Sequence, residues 1–263
     1  MLGQLTAAAH VRSQADPVAL ATLRRNAELR LAAHPPPSLA AALRRPDVAV
    51  IAELKRRSPS KGVLDDSLDA GAVASAFAAG GAAAMSVLTE PSAFGGALAD
   101  LESASRRVRI PLLRKDFIVS SSQVFEAASA GASAVLLIAR ALGPVALVEL
   151  AEVAQTTGLE TLIEVRSEAE LAWAVEAGAD VIGVNSRNLE TLEIDPAVAT
   201  RLVPMVPAET PAVFESGIRT RDDVEQAARA GADAVLVGSV LSAQGSSAEA
   251  VRGLVGVPRR PRG

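Results

Sequence analysis

The chain has 263 residues, a formal net charge of −4 and 49% apolar residues, enough for one large domain or two small ones with a sizeable core. It has no cysteine, no tyrosine and only two histidines, His10 and His34; disulfides, thiolate nucleophiles and cysteine zinc sites are excluded, and proton chemistry falls to Lys, Glu and Asp unless a histidine reaches the site from the N-terminus. No basic stripe appears outside Arg259, Arg260 and Arg262, no apolar run has transmembrane length and no signal peptide is visible, so the sequence predicts a soluble cytoplasmic protein that binds neither nucleic acid nor membrane.

Residues 1–46 precede the first strand-like run. Val18 to Ala33 has helical spacing, and Pro35, Pro36 and Pro37 end it. Leu20, Leu23, Leu29 and Leu31 predict that this N-terminal helical extension packs on the domain that follows. The run Val48 to Leu54 then reads Val-Ala-Val-Ile-Ala-Glu-Leu, the composition of a buried parallel strand. Residues two apart on a strand share a face. Glu53 and Lys55 therefore point the same way at its C-terminal end. A rim salt bridge explains one such pair, but the pattern recurs.

Four segments repeat one design: an Ala-rich helical stretch ends at Gly, and a buried run follows. They are Gly80-Gly81 before Met85 to Thr89, Gly131 before Val135 to Ala139, Gly178 before Val181 to Asn185, and Gly231 before Val235 to Gly238. Gly after a helix, then a tight turn into a strand, is the expected αβ junction. Ile110 to Asp116, Glu160 to Val165 and Ala212 to Ser216 complete a set of eight strands with the opening run. Helical periodicity fills the gaps, for example Glu168 to Ala177 and Arg221 to Ala230. Strict alternation predicts a parallel α/β sheet with right-handed crossovers. Eight units in about 210 residues fit a (β/α)8 TIM barrel over residues 47–255 better than an open doubly wound sheet. Residues 256–263 read as a disordered Pro/Arg tail.

Chemistry in such barrels sits at the C-terminal strand ends. Those ends hold Glu53 and Lys55, Thr89 and Glu90, Lys115 and Asp116, Glu164, Asn185 and Arg187, Glu215 and Ser216, then Gly238 and Ser239. Singly, each is more often a rim group. Converging on one mouth, they predict an active site. The Glu215-Ser216-Gly217-Ile218 and Val237-Gly238-Ser239-Val240 turns add backbone N–H groups at the usual phosphate position of the barrel.

These residues resemble the indole-3-glycerol phosphate synthase family. The matching motifs run from Glu53 to Gly62, Leu88 to Gly96 and Pro111 to Phe117, followed by Leu162 to Val165, Gly183 to Leu189, Glu215 to Gly217, and Gly238-Ser239. The resemblance implies ring closure of 1-(2-carboxyphenylamino)-1-deoxyribulose 5-phosphate with loss of CO2 and water, in tryptophan biosynthesis, without a metal or organic cofactor. It implies that Lys115 is the general acid that protonates the substrate ketone, that Lys55 holds the carboxylate or shares acid duty, and that Glu164 acts in dehydration. Glu53 would orient and tune the lysines, with Glu215 a further catalytic carboxylate. Asn185, Arg187 and Ser58 would contact substrate, Phe94 and Leu189 would line the aromatic pocket, and Ser216, Gly217, Gly238 and Ser239 would cradle the phosphate.

A lysine acid near neutral pH needs burial or a neighbouring cation to loosen its proton; Lys55 and Lys115 are expected to do that to each other. The sequence departs from the family pattern at Arg57, at Ala97 and in the segment from Val240 to Ser246. A phosphoribosyl isomerase-type barrel is disfavoured by Glu53, Lys55 and Glu164 at the ends where such enzymes carry Asp or Cys. A ligand-binding relative without turnover is disfavoured by the intact charged set. The partner is a phosphorylated small molecule, and the chain is expected to be a monomer or weak homodimer.

Overall fold

The computed structural model describes residues 1–14, 17–59 and 62–262. Ser60 and Lys61 of the first motif and Gly263 of the tail lie outside the described residues. Eight parallel strands close into a barrel: β1 (Ala49–Leu54), β2 (Ala84–Leu88), β3 (Leu112–Lys115), β4 (Ala134–Ile138), β5 (Glu160–Val165), β6 (Val181–Asn185), β7 (Ala212–Glu215) and β8 (Ala234–Val237). Closure comes from β1, which pairs with β2 on one side and with β8 on the other, Ala49 opposite Ala234 and Ala52 opposite Val237.

Both faces of each strand are buried, which is why the runs are continuously apolar. The two faces nevertheless separate cleanly. Val50, Ala52 and Leu54 pack outward among the helices, whereas Ala49 and Ile51 face the barrel interior with Leu113, Leu136, Leu162, Val213 and Leu236. The alternation follows from the two-residue period of a strand. It fixes which residues enter the mouth.

The connecting helices start and stop where the side chains dictate. Ser167 caps Glu168–Glu176, and Thr220 with Asp223 forms a capping box on Arg221–Arg229. Gly131 (φ 89°) and Gly231 (φ 84°) end their helices in the left-handed conformation that glycine adopts without steric cost. Helix Leu98–Ser105 is less complete. The Asp100 carboxylate accepts from the Ala97 N–H at 3.0 Å, but Ala97 has no side-chain acceptor to return the bond. Ala97→Ser completes the box, so it raises stability by about 0.5–1 kcal/mol in urea unfolding, against no change if the helix end is already satisfied.

The N-terminal extension comprises α1 (Leu2–Arg12), α2 (Pro17–Ala33) and α3 (Leu39–Leu43). Helix α3 lies across the N-terminal strand ends. Its Leu39 and Leu43 are buried with the inward barrel residues, and the Ala40 N–H donates to Glu160 at the start of β5 (2.8 Å). Helix α2 packs against helix Ser121–Ala130. Of the expected leucines, Leu31 packs half-buried against the core and Leu29 is 60% exposed, while Ala27 is fully buried. A small residue lets the two helices approach closely, so the longer leucines fall to the flanks. Helix α1 buries Leu2, Leu5 and Ala9 with Phe117 and Ile138 near the mouth.

The tail contacts the barrel through Arg262. Val48 N–H donates to the Val257 carbonyl (2.8 Å), and Arg259 N–H to the Pro46 carbonyl (3.0 Å). The Arg262 guanidinium pairs with Asp233 and donates to the carbonyls of Gly231 (3.1 Å) and Thr210 (2.8 Å). A buried carboxylate before β8 recruits the arginines that composition alone assigns to solvent. Among the described residues, no helix is long and apolar enough to cross a membrane.

Candidate active site

Strand parity carries the charged residues inward. On β1 the inward series Ala49, Ile51 continues to Glu53 and then to Lys55 just beyond it. On β3 it runs from Leu113 to Lys115, on β5 from Leu162 to Glu164, and on β7 from Val213 to Glu215. All of these charges come from odd-numbered strands. The even strands place smaller or neutral groups between them: Gly183 and Asn185 on β6, and Gly238 at the end of β8. Alternate strands filling successive tiers is the packing rule of this barrel.

Thirteen of the fourteen site residues proposed from sequence border one cavity at the mouth: Glu53, Lys55, Phe94, Lys115, Glu164, Asn185, Arg187, Leu189, Glu215, Ser216, Gly217, Gly238 and Ser239. Ser58 is the exception. It is buried, but it sits opposite Gly62 in a short antiparallel ladder beyond β1 and does not border the cavity. Its neighbours explain the placement. Arg56 pairs with Asp100 and donates to the Leu68 carbonyl (2.7 Å), while Arg57 pairs with Asp66 at 2.6 Å, so both arginines of the motif tie the loop outward.

Two ion-paired groups dominate the interior of the mouth. Lys55 Nζ lies 2.7 Å from Glu53 Oε1. Lys115 Nζ lies 3.0 Å from Glu215 Oε2 and 3.7 Å from Glu164 Oε2. Burial alone would loosen the Lys115 proton, but Glu215, Glu164 and Glu53 together outweigh it and hold the ammonium above the ordinary lysine range. This overturns the expected depression of Lys115: three carboxylates converge on its ammonium, and their attraction exceeds the effect of burial. Burial also acts on Glu215. Helped by the charges of Glu164 and Glu53, it exceeds the pull of Lys115 and lifts this carboxyl to about 7. Burial would raise Glu53 too, but Lys55, Lys115 and Arg187 hold it below the usual carboxylate range. Lys115 therefore keeps its proton at neutral pH, and Glu215 is the member of the pair that titrates there.

Asn185 orders the next wall. Its Oδ1 accepts from the Arg187 N–H (2.9 Å) and the Ser216 hydroxyl (2.8 Å). Arg187 is aimed in turn by the Leu192 carbonyl, which accepts from Nη1 at 2.9 Å. After β7, Ser216 (φ 66°) and Gly217 (φ 92°) both adopt left-handed backbone. That conformation is costly for Ser216, and it turns the chain sharply at the cavity edge. Gly238 has a role beyond the expected phosphate cradle. A Cβ there would strike Glu53 Oε1 and lie 3.0 Å from Lys55 Nζ, so the missing side chain makes room for that ion pair.

Three strand-end residues named from sequence support the site. Glu90 is fully buried, and its carboxylate accepts the N–H groups of Ser92 (3.0 Å), Ala93 (2.7 Å) and Phe94 (3.2 Å), holding the short helix that presents Phe94. Asp116 accepts from Thr89 Oγ1 (2.8 Å) and its own neighbour Phe117 N–H (2.8 Å). Arg12 from α1 reaches Asp116 at 3.1 Å and Glu90 at 3.5 Å. The extension thus grips the residues that seat Phe94 and Lys115. Sequence reasoning missed Arg12, and it missed Phe117, Ile194 and Arg219, which also border the cavity. Ile194 and Arg219 sit on loops, where no periodicity marks orientation; Phe117 carries a weak signal as the second residue past Lys115.

The mouth is a charged pocket with two ammonium groups, four carboxylates, two arginines, an aromatic wall and two small-residue turns. It suits acid–base work on an anionic, partly aromatic substrate. Comparisons with known proteins agree. The family model described as indole-3-glycerol phosphate synthase matches residues 5–254. A protein of that name from Rhodococcus opacus is 49% identical over 232 residues, covering 88% of this chain and 86% of the relative. Indole-3-glycerol phosphate synthase 1 of Streptomyces coelicolor is 51% identical over 221 residues, covering 84% and 82%. Among solved structures, 3-hexulose-6-phosphate synthase from Salmonella typhimurium superposes with a TM-score of 0.62 at 15% identity, over 79% of this chain and 96% of that one. At that identity the likeness shows the barrel alone.

Proposed function

The chain belongs to the indole-3-glycerol phosphate synthase family, and on that premise we propose how its own residues carry the reaction, a carboxy-lyase step in tryptophan biosynthesis. The substrate, 1-(2-carboxyphenylamino)-1-deoxyribulose 5-phosphate, must bring its aromatic carbon to the ketone carbon, lose CO2 and then lose water.

Ring closure places negative charge on the ketone oxygen. Lys115 is the acid that meets it. The observation that carries this role is its ammonium, held between Glu215 and Glu164 in the interior of the mouth. Its proton affinity keeps it loaded at neutral pH, and the carboxylates fix its direction. Lys55, aligned by Glu53, holds the substrate carboxylate or shares the acid role. The fork of Arg187 suits a carboxylate as well. Once CO2 has left and the aromatic ring is restored, Glu164 serves the dehydration by moving the proton that departs with the hydroxyl. Phe94 and Leu189 flank the aromatic ring. The turns at Ser216-Gly217 and Gly238-Ser239 hold the phosphate, which binds at the end of the substrate remote from the ring. The same reading places the protein in the cytoplasm as a monomer or weak homodimer.

The test is to mix the carboxyphenylamino-deoxyribulose phosphate with purified protein and follow indole fluorescence across pH. Product is expected, and kcat/KM is expected to fall as pH drops through about 7, because Glu215 then takes up a proton and loses its charge-assisted bond to Lys115. In Glu215→Gln this limb flattens. No fluorescence at any pH would refute the activity; an unchanged limb in Glu215→Gln would refute the assignment of that ionisation.

A further inference from the structure

Gly183 lies in the middle of β6, opposite Glu164 on β5 and Val213 on β7, and its parity points into the barrel. Glycine in a strand interior forfeits side-chain packing and usually marks a close approach by another group. Here the backbone needs no glycine, since Gly183 is not among the positive-φ residues. Space is what it provides. A Cβ at this position would collide with Glu215 Oε1 and stand 2.8 Å from Leu162 Cδ2. Leu162 can give way by rotating its flexible end. The Glu215 carboxylate cannot retreat so freely, because Oε2 is bonded to Lys115 at 3.0 Å. Oε1 itself is buried and has no hydrogen-bond partner among the described residues. Shape therefore acts together with the Lys115 bond to Oε2 in fixing where that oxygen lies.

We propose that Gly183 is a positioning residue for the reaction: its missing side chain is the socket that seats Glu215, and through Glu215 it aims the Lys115 ammonium. The inference rests on the reading of Lys115 as the acid. A methyl group in the socket drives the Glu215 head group to another rotamer and carries Oε2 away from Lys115. A displacement near 1 Å at a reacting group is enough to cost up to roughly 100-fold in rate. The substitution moves the Glu215 head group and removes no group from the phosphate turns, so the loss falls mainly on kcat.

The experiment is a double-mutant cycle with Gly183→Ala and Glu215→Ala, read by turnover and by urea unfolding. Gly183→Ala alone is expected to lower kcat by about 10–100-fold with KM within about threefold. In the Glu215→Ala background the socket is empty, so the added methyl should cost far less in both kcat and unfolding midpoint than in the native background. If Gly183→Ala does not fold but the double variant does, the collision with Glu215 is established by that rescue. The proposal is overturned by near-native kcat in Gly183→Ala, by strictly additive losses, or by a double variant that also fails to fold, since the methyl would then strike Leu162 or the barrel wall. The unfolding arm needs no substrate. A chain that turned nothing over but still showed the coupling would refute the proposed function while sparing the socket.

Discussion

Lys115→Met lowers kcat by about 10²–10⁴-fold, the usual worth of a positioned general acid. Methionine keeps the length of the side chain and removes the proton. The substrate's ketone oxygen would then develop charge in a buried mouth with no donor at this point. Two carboxylates would also lose their cation. Glu215 lies 3.0 Å and Glu164 3.7 Å from Nζ, and the Glu215 carboxyl, already raised by burial, responds by holding its proton, which limits the damage to folding. Competition by inorganic phosphate should stay within about threefold of the native value, because uniform binding at a remote group is separable from transition-state stabilisation. Steady-state kinetics with phosphate as competitor reads both quantities. Turnover near the native rate would remove Lys115 from the mechanism. A matching loss of phosphate binding would mean that the variant has disturbed the whole mouth.

At the opposite end of the barrel, Asp233→Ala costs about 3–5 kcal/mol of stability, the range for breaking a buried charge pair on one side. Asp233 precedes β8, and its Oδ2 accepts the Ala212 N–H that opens β7 (2.8 Å). The same carboxylate holds Arg262, whose side chain is 5% exposed. Alanine leaves that guanidinium without its anion and the Ala212 N–H without an acceptor. Arg259, more exposed, adds little to the sum. Urea unfolding measures the loss, and turnover per folded molecule should match the native protein because the site lies at the other strand ends. A loss below about 1 kcal/mol would mean that the tail contributes no more than a surface ion pair does.

The barrel was legible because a strand buried on both faces leaves a continuous apolar run, and Gly at each helix end marks the junction. The inward direction of Glu53, Lys55, Lys115, Glu164 and Glu215 followed from the same two-residue period. What escaped is long-range. The direction of the Lys115 shift depends on carboxylates that strands β1, β5 and β7 bring from distant points in the chain, and a local reading saw only another lysine. Arg12 looked like a surface charge until the fold brought Glu90 and Asp116 beneath it. Ser58 is close in sequence to Lys55, yet the ladder and the two arginine ties turn it away from the cavity. The tail's arginines found a carboxylate near β8, a partner that no motif announces.

The separation of inward from outward residues on each strand also governs which insertions and deletions the molecule can survive. Removing one residue from β5 between Thr161 and Glu164 exchanges partners across the wall: Glu164 swings toward the helices and Val165 toward the cavity. Removing two restores the facing but draws the head group down by about 6.6 Å, into the aliphatic tier below. The loops carry no such arithmetic. Length variation in descendants of this chain should therefore gather in the loops and vanish from the strands, because the reading frame that matters to the chemistry is odd against even.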